Sequence, residues 1–137
     1  MPYLRPGGLR RRTRHLYRDF APKIMGVTGG LMRQLPQSAT DRYLTRIVQA
    51  VRAISGDIPI IAMTPSPHDS SYYPSQKYHA AARASAFSWA ASMSVPIVDI
   101  ENIVLEGLAS GAANPDGMHW AWDTHERIGI ELASRIR

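Results

Sequence analysis

Two short apolar runs constrain the fold of this chain more than any other feature. They are IPIIAM at 58–63 and VPIVDI at 95–100. Each is rich in β-branched residues and lacks an alternating polar face, which is the pattern of a strand buried on both sides. Between them lie a polar, proline-rich loop, TPSPHDSSYYPSQ, and an alanine-rich helical stretch at 77–93, KYHAAARASAFSWAASM. Tyr78, Ala82, Ser85, Trp89 and Met93 fall roughly along one face of that helix. Alternating helices and fully apolar strands call for a parallel sheet covered by helices. Two parallel strands make a poor sheet by themselves. The chain therefore reads as the C-terminal half of a larger α/β domain.

The flanking segments supply the covering helices. From Ala39, the residues Tyr43, Leu44, Ile47, Val48, Val51 and Ile54 follow helical spacing, with Arg42, Arg46 and Arg52 between them and Gly56 as the stop. ENIVLEGLAS, after the second strand, reads as a short helix ended by Gly111. Asp123, with Glu126 three residues later, resembles a capping box opening a last helix that carries Ile128, Leu132 and Ile136. Residues 1–30 read as a basic arm ending in a helix with Leu9, Leu16, Tyr17 and Phe20 as a partial apolar stripe. MGVTGGLMRQLPQS reads as loop. The expected organisation is one partial domain over 1–137, with the α/β core at 39–137.

Length and composition narrow the classes. A chain of 137 residues makes one modest domain, and 45% hydrophobic with 20% charged residues describes a globular protein. The absence of cysteine removes a disulfide scaffold, a Cys-ligated zinc site and a thiol nucleophile. It also agrees with a reducing cytoplasm, the expected location. No run is long and apolar enough to span a membrane. HLYRDFAPKIMG, after the basic start, holds charges and a proline and is no signal core. The net charge of +5 is local: residues 1–23 carry seven cations against one acid, Asp19, which leaves the remainder close to neutral.

The stretch that carries chemistry is NPDGMHWAWDTHE at 114–126. A serine hydrolase or acyltransferase needs a histidine that takes the serine proton on Nε2 and a carboxylate that holds Nδ1. A carboxylate three residues before a histidine brings both groups together in one turn. Gly117 gives that turn its freedom and Pro115 stiffens the approach. The position, after the last strand and before the last helix, is the end of the sheet where open α/β folds bind ligands. The same residues also fit a purely structural turn. Asp116, His119, Asp123 and His125 supply metal-ligand types but no familiar ligand spacing.

This block resembles the last conserved block of the SGNH (GDSL-type) hydrolase superfamily, in which D-x-x-H precedes the final helix. DIPIIAMTPSP and VPIVDIENIV resemble the strands that come before it. TGGLMRQLPQSATDRYLTRIVQAVR, with YYPSQKYHAAARA, is similar to the actinobacterial octanoyltransferases that acylate diglucosylglycerate. The resemblance covers essentially the whole chain. It implies a three-layer, flavodoxin-like α/β fold with a parallel sheet whose N-terminal strands are missing here. It implies an SGNH-type acyltransferase or esterase that moves octanoyl from a thioester donor to a sugar hydroxyl, with no cofactor and no metal. His119 would be the general base and Asp116 its orienting carboxylate. The superfamily's G-D-S nucleophile block is not in this chain, and Asn102 and Asn114, the two asparagines, lie too late for its G-x-N-D block. The expectation is a chain that begins at an internal methionine of a longer protein and is inactive alone. The competing readings are a non-catalytic remnant or interaction module, and, ranked last, a basic nucleic-acid-binding module.

Other residues carry a functional and a plain reading side by side. Ser66, Ser70, Ser71 and Ser75 could substitute for the nucleophile, but none has a strand–turn–helix setting, and an ordinary polar loop is favoured. Tyr72, Tyr73, Lys77, His68 and His79 could line a sugar-acceptor site or pack the loop on the core. Tyr72, Tyr73, Lys77 and His79 are the candidates retained for substrate binding. Asp99 is expected to cap the next helix. Trp120 and Trp122 are expected to pack around the histidine, and His125 to be exposed. The run Arg10, Arg11, Arg12 and Arg14 fits phosphate contacts, an anionic substrate such as glycerate or an acyl-CoA, or a solvated helix face.

Overall fold

The computed structural model describes residues 35–70 and 75–136, together with Phe20, Lys23, Ile24 and Val27. The basic arm with Arg10, Arg11, Arg12 and Arg14 lies outside the described residues, as do Ser71, Tyr72 and Tyr73. The elements are α1 (Gln37–Ile54), β1 (Ala62–Met63), α2 (His79–Met93), β2 (Ile97–Val98), α3 (Glu101–Ala109) and α4 (Trp122–Ala133). The chain is α/β, and β1 and β2 pair in parallel with Ala62 opposite Ile97 and Met63 opposite Val98.

Strand alternation sorts the core into two clusters. Ile60, Ala62 and Ile97 pack with Val48 of α1, Trp89, Ala90 and Met93 of α2, and Val95. Ile61, Val98 and Ile100 pack with Val104 of α3 and Ile128 of α4. Side chains one residue apart on a strand point to opposite faces. The helices therefore cover both faces of the pair. Regular pairing spans two residues in each strand, shorter than the apolar runs that led to them. The outer edge of β1 has no strand beside it among the described residues, so nothing there extends its ladder.

Polar side chains fix how the helices meet. Trp89 Nε1 donates to Thr45 Oγ1 at 3.0 Å, and Ser85 Oγ donates to Asp41 Oδ2 at 2.9 Å, which joins α2 to α1. The left-handed Ser94, at φ 51°, ends α2, and Val95 N–H returns to Ala90 O. α3 and α4 approach closely at Gly107, where an added Cβ would stand 2.2 Å from Thr124 Oγ1. At the C-terminal ends of the strands, buried Thr64 is the polar joint. Its hydroxyl donates to Asp99 Oδ1 at 3.1 Å and accepts from Ile100 N–H at 3.0 Å.

Three expectations change. The apolar stripe of α1 is buried only in part: Val48 is enclosed and Leu44 half-buried, whereas Tyr43, Ile47 and Ile54 are exposed. The capping box at Asp123 does not form, because α4 starts at Trp122 behind Ala121 and so takes Asp123 into its first turn. Asp123 Oδ1 instead accepts Thr124 N–H at 2.7 Å, and its charge still suits a helix N-terminus. Trp122 points away from the core and is 86% exposed. The start of α4 turns Trp120 and Trp122 to different sides.

Thr64→Val keeps the shape of the joint but leaves the buried Ile100 N–H without its acceptor. The expected loss is about 1–3 kcal/mol of unfolding free energy, the usual cost of an orphaned buried donor. Thr64→Ser should recover most of it. Urea denaturation of the three proteins checks this, and equal stability of the valine and serine forms would contradict it.

Candidate functional site

The D-x-x-H turn lies at the C-terminal end of the strand pair. Its geometry follows from Asp116. Oδ1 accepts the backbone N–H of Met118 at 2.9 Å and of His119 at 3.0 Å, and Oδ2 accepts from Nδ1 of His119. One carboxylate thus fixes the backbone and the ring of the same residue. Two more bonds close the loop: Gly117 N–H to Asn114 O at 3.0 Å, and Asn114 N–H to His119 O at 3.1 Å. The amides explain the spacing, since the N–H groups two and three residues beyond an Asp are those its side chain reaches. The N–H of His119, then that of Met118, then the His119 ring lower the Asp116 pKa from 3.8 to about 2.

Gly117 locks this turn onto the loop after β1. It sits at φ 66°, its carbonyl accepts Asp69 N–H at 2.8 Å, and an added Cβ would stand 2.1 Å from Asp69 O. Trp120 Nε1 donates to Ser66 Oγ at 3.1 Å, and the His125 ring lies 5.0 Å from the Trp120 ring. His125 is exposed as expected, but it also props Trp120, a contact that the spacing did not reveal. The His119 side chain is 71% exposed, against 25% for Asp116. Nε2 faces outward with no hydrogen-bond partner among the described residues.

A second polar cluster borders the site. Arg83 of α2 pairs with Asp99 through both Nε and Nη2, and its Nε lies 3.2 Å from Glu101 Oε2. The Arg83 hydrogen bond holds the Asp99 carboxyl below its ordinary range. Asp99 stands one residue before the N-cap, Ile100, and accepts Glu101 N–H at 3.3 Å, so it serves the start of α3 while also holding Arg83 and Thr64. Arg83 had no assigned role in the sequence. A cation sixteen residues before its carboxylate partner, across a helix and a strand, leaves no local signal.

The substrate-binding candidates are only partly placed. His79 Nε2 lies 3.0 Å from Pro65 O and Nδ1 lies 3.5 Å from Glu101 Oε1, so both ring nitrogens are engaged within the protein. Lys77 is exposed, with its ammonium over the Tyr78 ring. Burial, followed by the nearby His79, lowers the His68 pKa. Ser66 Oγ donates to Pro67 O and accepts from Trp120, and Ser70 is buried. No described serine hydroxyl bonds to His119. Among the described residues no three His, Cys, Asp or Glu side chains gather as a metal site. Nor is any described helix long and apolar enough to cross a membrane.

The depressed Asp116 pKa has a signed consequence. A carboxyl lowered on folding adds stability above its unfolded pKa, and that share is lost as pH falls through the folded value. The stability difference between the parent and Asp116→Asn should be constant above about pH 5 and shrink between 3.8 and about 2. Chemical denaturation at stepped pH reads it; a difference that persists undiminished at pH 2 would contradict the carboxylate geometry. Gly117→Ala should destabilise by at least about 1–2 kcal/mol from the left-handed backbone alone.

The chain is 33% identical over 127 residues to diglucosylglycerate octanoyltransferase of Mycolicibacterium hassiacum, a match covering 92% of this chain and 52% of that protein. The match to diglucosylglycerate octanoyltransferase of Mycobacterium tuberculosis is also 33% over 127 residues, covering 92% and 50%. The chain thus spans about half the length of the curated relatives it matches. No family model matches it. No solved structure matches it either.

Proposed function

We propose that this chain carries the base–carboxylate half of an SGNH-type serine acyltransferase, in which octanoyl passes from a thioester donor to a hydroxyl of a diglucosylglycerate acceptor. The observation that carries the reading is the His119 ring, held at Nδ1 by Asp116 and open at Nε2. The names of the relatives supply the acyl group and the acceptor. In this reading the strand pair belongs to a larger three-layer parallel sheet, and the nucleophile comes from residues beyond those matched here.

The chemistry assigns one task to each group. As the serine oxygen attacks the thioester carbonyl, Nε2 takes the hydroxyl proton and then passes it to the departing thiol. In the second half-reaction Nε2 takes the proton of the sugar hydroxyl, which attacks the acyl-enzyme, and returns it to the serine oxygen. Asp116 holds the tautomer with hydrogen on Nδ1 and stabilises the imidazolium in both steps. Replacing the sugar by water would make the same machinery an esterase. Tyr72, Tyr73, Lys77 and His79 remain proposed acceptor-side residues, with His79 acting by holding the Pro65 carbonyl against α3.

A second reading is a non-catalytic interaction module. The lack of a described serine on Nε2 favours it. One assay separates the two. Residues 1–137 alone should show no turnover of an octanoyl thioester or p-nitrophenyl octanoate; turnover abolished by His119→Ala would place a nucleophile in this chain. In the M. hassiacum relative, replacing the residue that aligns with His119 by alanine should cut octanoyl transfer by about 10³-fold or more. An unchanged rate there would overturn the base assignment.

A further inference from the structure

We propose that Trp122 is a stacking platform for a glucosyl ring of the acceptor, and so a specificity-determining contact beside His119. Trp122 is 86% exposed, whereas Trp89 is buried and Trp120 half-buried. Its indole makes no hydrogen bond or ring contact with any described residue. A ring of this size carries a large apolar area and usually spends it on packing. Its place beside the base gives the exposure a use. Three peptide units separate Trp122 from His119, which holds the two backbones within about 11 Å, a span that two linked sugar rings cover. The intervening Trp120 turns inward to Ser66, and the side chains flanking it, His119 and Trp122, are the ones left in solvent.

The surroundings of the ring select among the parts of the substrates. An acyl chain gains from enclosure by apolar walls, but the neighbours of Trp122 along the start of α4, Asp123, His125 and Glu126, are polar and exposed. A hexose instead has a C–H face that lies flat on an aromatic ring and hydroxyls around its rim. Glu126, four residues on, shares the helix face of Trp122. It makes no ion pair with any described residue. Its carboxylate can accept a rim hydroxyl in a charge-assisted bond. Arg127, the next cation along, is already paired with Glu106. Asp123 and Glu126 therefore present net negative charge here and would repel the glycerate carboxylate. The platform fits a glucosyl ring, and neither the acyl chain nor the glycerate end. The name of the relatives supplies the sugar acceptor, and to that extent the assignment rests on the acyltransferase reading.

The test titrates residues 1–137 separately with diglucosylglycerate, glycerate and octanoate. Nuclear magnetic resonance follows the Trp122 indole N–H and the Glu126 amide. Diglucosylglycerate should shift both signals to saturation, while glycerate and octanoate leave them in place. Trp122→Ala, read at the Glu126 amide, should weaken diglucosylglycerate binding at least about fivefold, the size of one aromatic contact. Trp122→Tyr should restore most of the affinity. Neither change should alter melting, since the side chain is exposed. No saturable shift with diglucosylglycerate, or equal affinity of the parent and the alanine form, would overturn the proposal. So would a Trp122 shift with octanoate or glycerate alone, since the ring would then serve another part of the substrates. The acyltransferase reading fails separately. Trp122-dependent sugar binding, with full octanoyl transfer in the M. hassiacum relative after alanine replaces the residue that aligns with His119, would leave the platform standing and remove the base.

Discussion

The hydroxyl of Thr64 is the contact on which the site depends. It stands where β1 ends and bonds both the Asp99 carboxylate and the Ile100 amide, so the strand ends and the start of α3 share one buried joint. Asp99 in turn holds Arg83 of α2. A parallel pair of two residues a side has few ladder bonds of its own. Side-chain bonds of this kind therefore carry much of the register. They also explain why the loop after β1 leaves the sheet in a fixed direction, which lets Asp69 and Ser66 meet the D-x-x-H turn.

That turn is unusual in being almost self-contained. Among the described residues every polar group around the Asp116 carboxylate comes from residues 116–119, and Gly117 and Trp120 tie the turn to the loop after β1. Local hydrogen bonds need little loop closure. The carboxylate is held ionised far below neutrality by two backbone amides and the ring, so the turn itself favours the His119 tautomer with hydrogen on Nδ1. Residues 114–119 themselves hold no hydroxyl or thiol side chain.

The parts legible in the sequence are those with short-range signatures. The apolar runs, the helical periodicities and the D-x-x-H spacing each involve residues a few positions apart, and the structure has an element or a turn at each. The parts missed involve distant residues. Arg83 with Asp99, Trp89 with Thr45, Gly107 against Thr124 and Trp120 with Ser66 are contacts between elements, and no periodicity encodes them. Two local signals also misled. Asp123 followed by Glu126 matched a capping box, but helix formation began one residue earlier at Trp122. The α1 residues Tyr43 to Ile54 follow helical spacing as one apolar stripe, yet Ile47 and Tyr43 have no described element over them.

The exposed part of that stripe and the self-contained turn are held by different means. The turn is fixed by hydrogen bonds within residues 114–119 and by Gly117 against Asp69, so its geometry does not depend on α1. α1 is held through enclosed Val48 and through the bonds of Trp89 to Thr45 and of Ser85 to Asp41, while Ile47 and Tyr43 stay exposed. Burial of an apolar side chain contributes roughly 1.5–3 kcal/mol, and a hydrogen bond about 0.5–1.5 kcal/mol. With half of its stripe uncovered, α1 therefore draws a comparable share of its anchoring from two polar bonds as from apolar enclosure, whereas the turn draws nearly all of its own from one carboxylate.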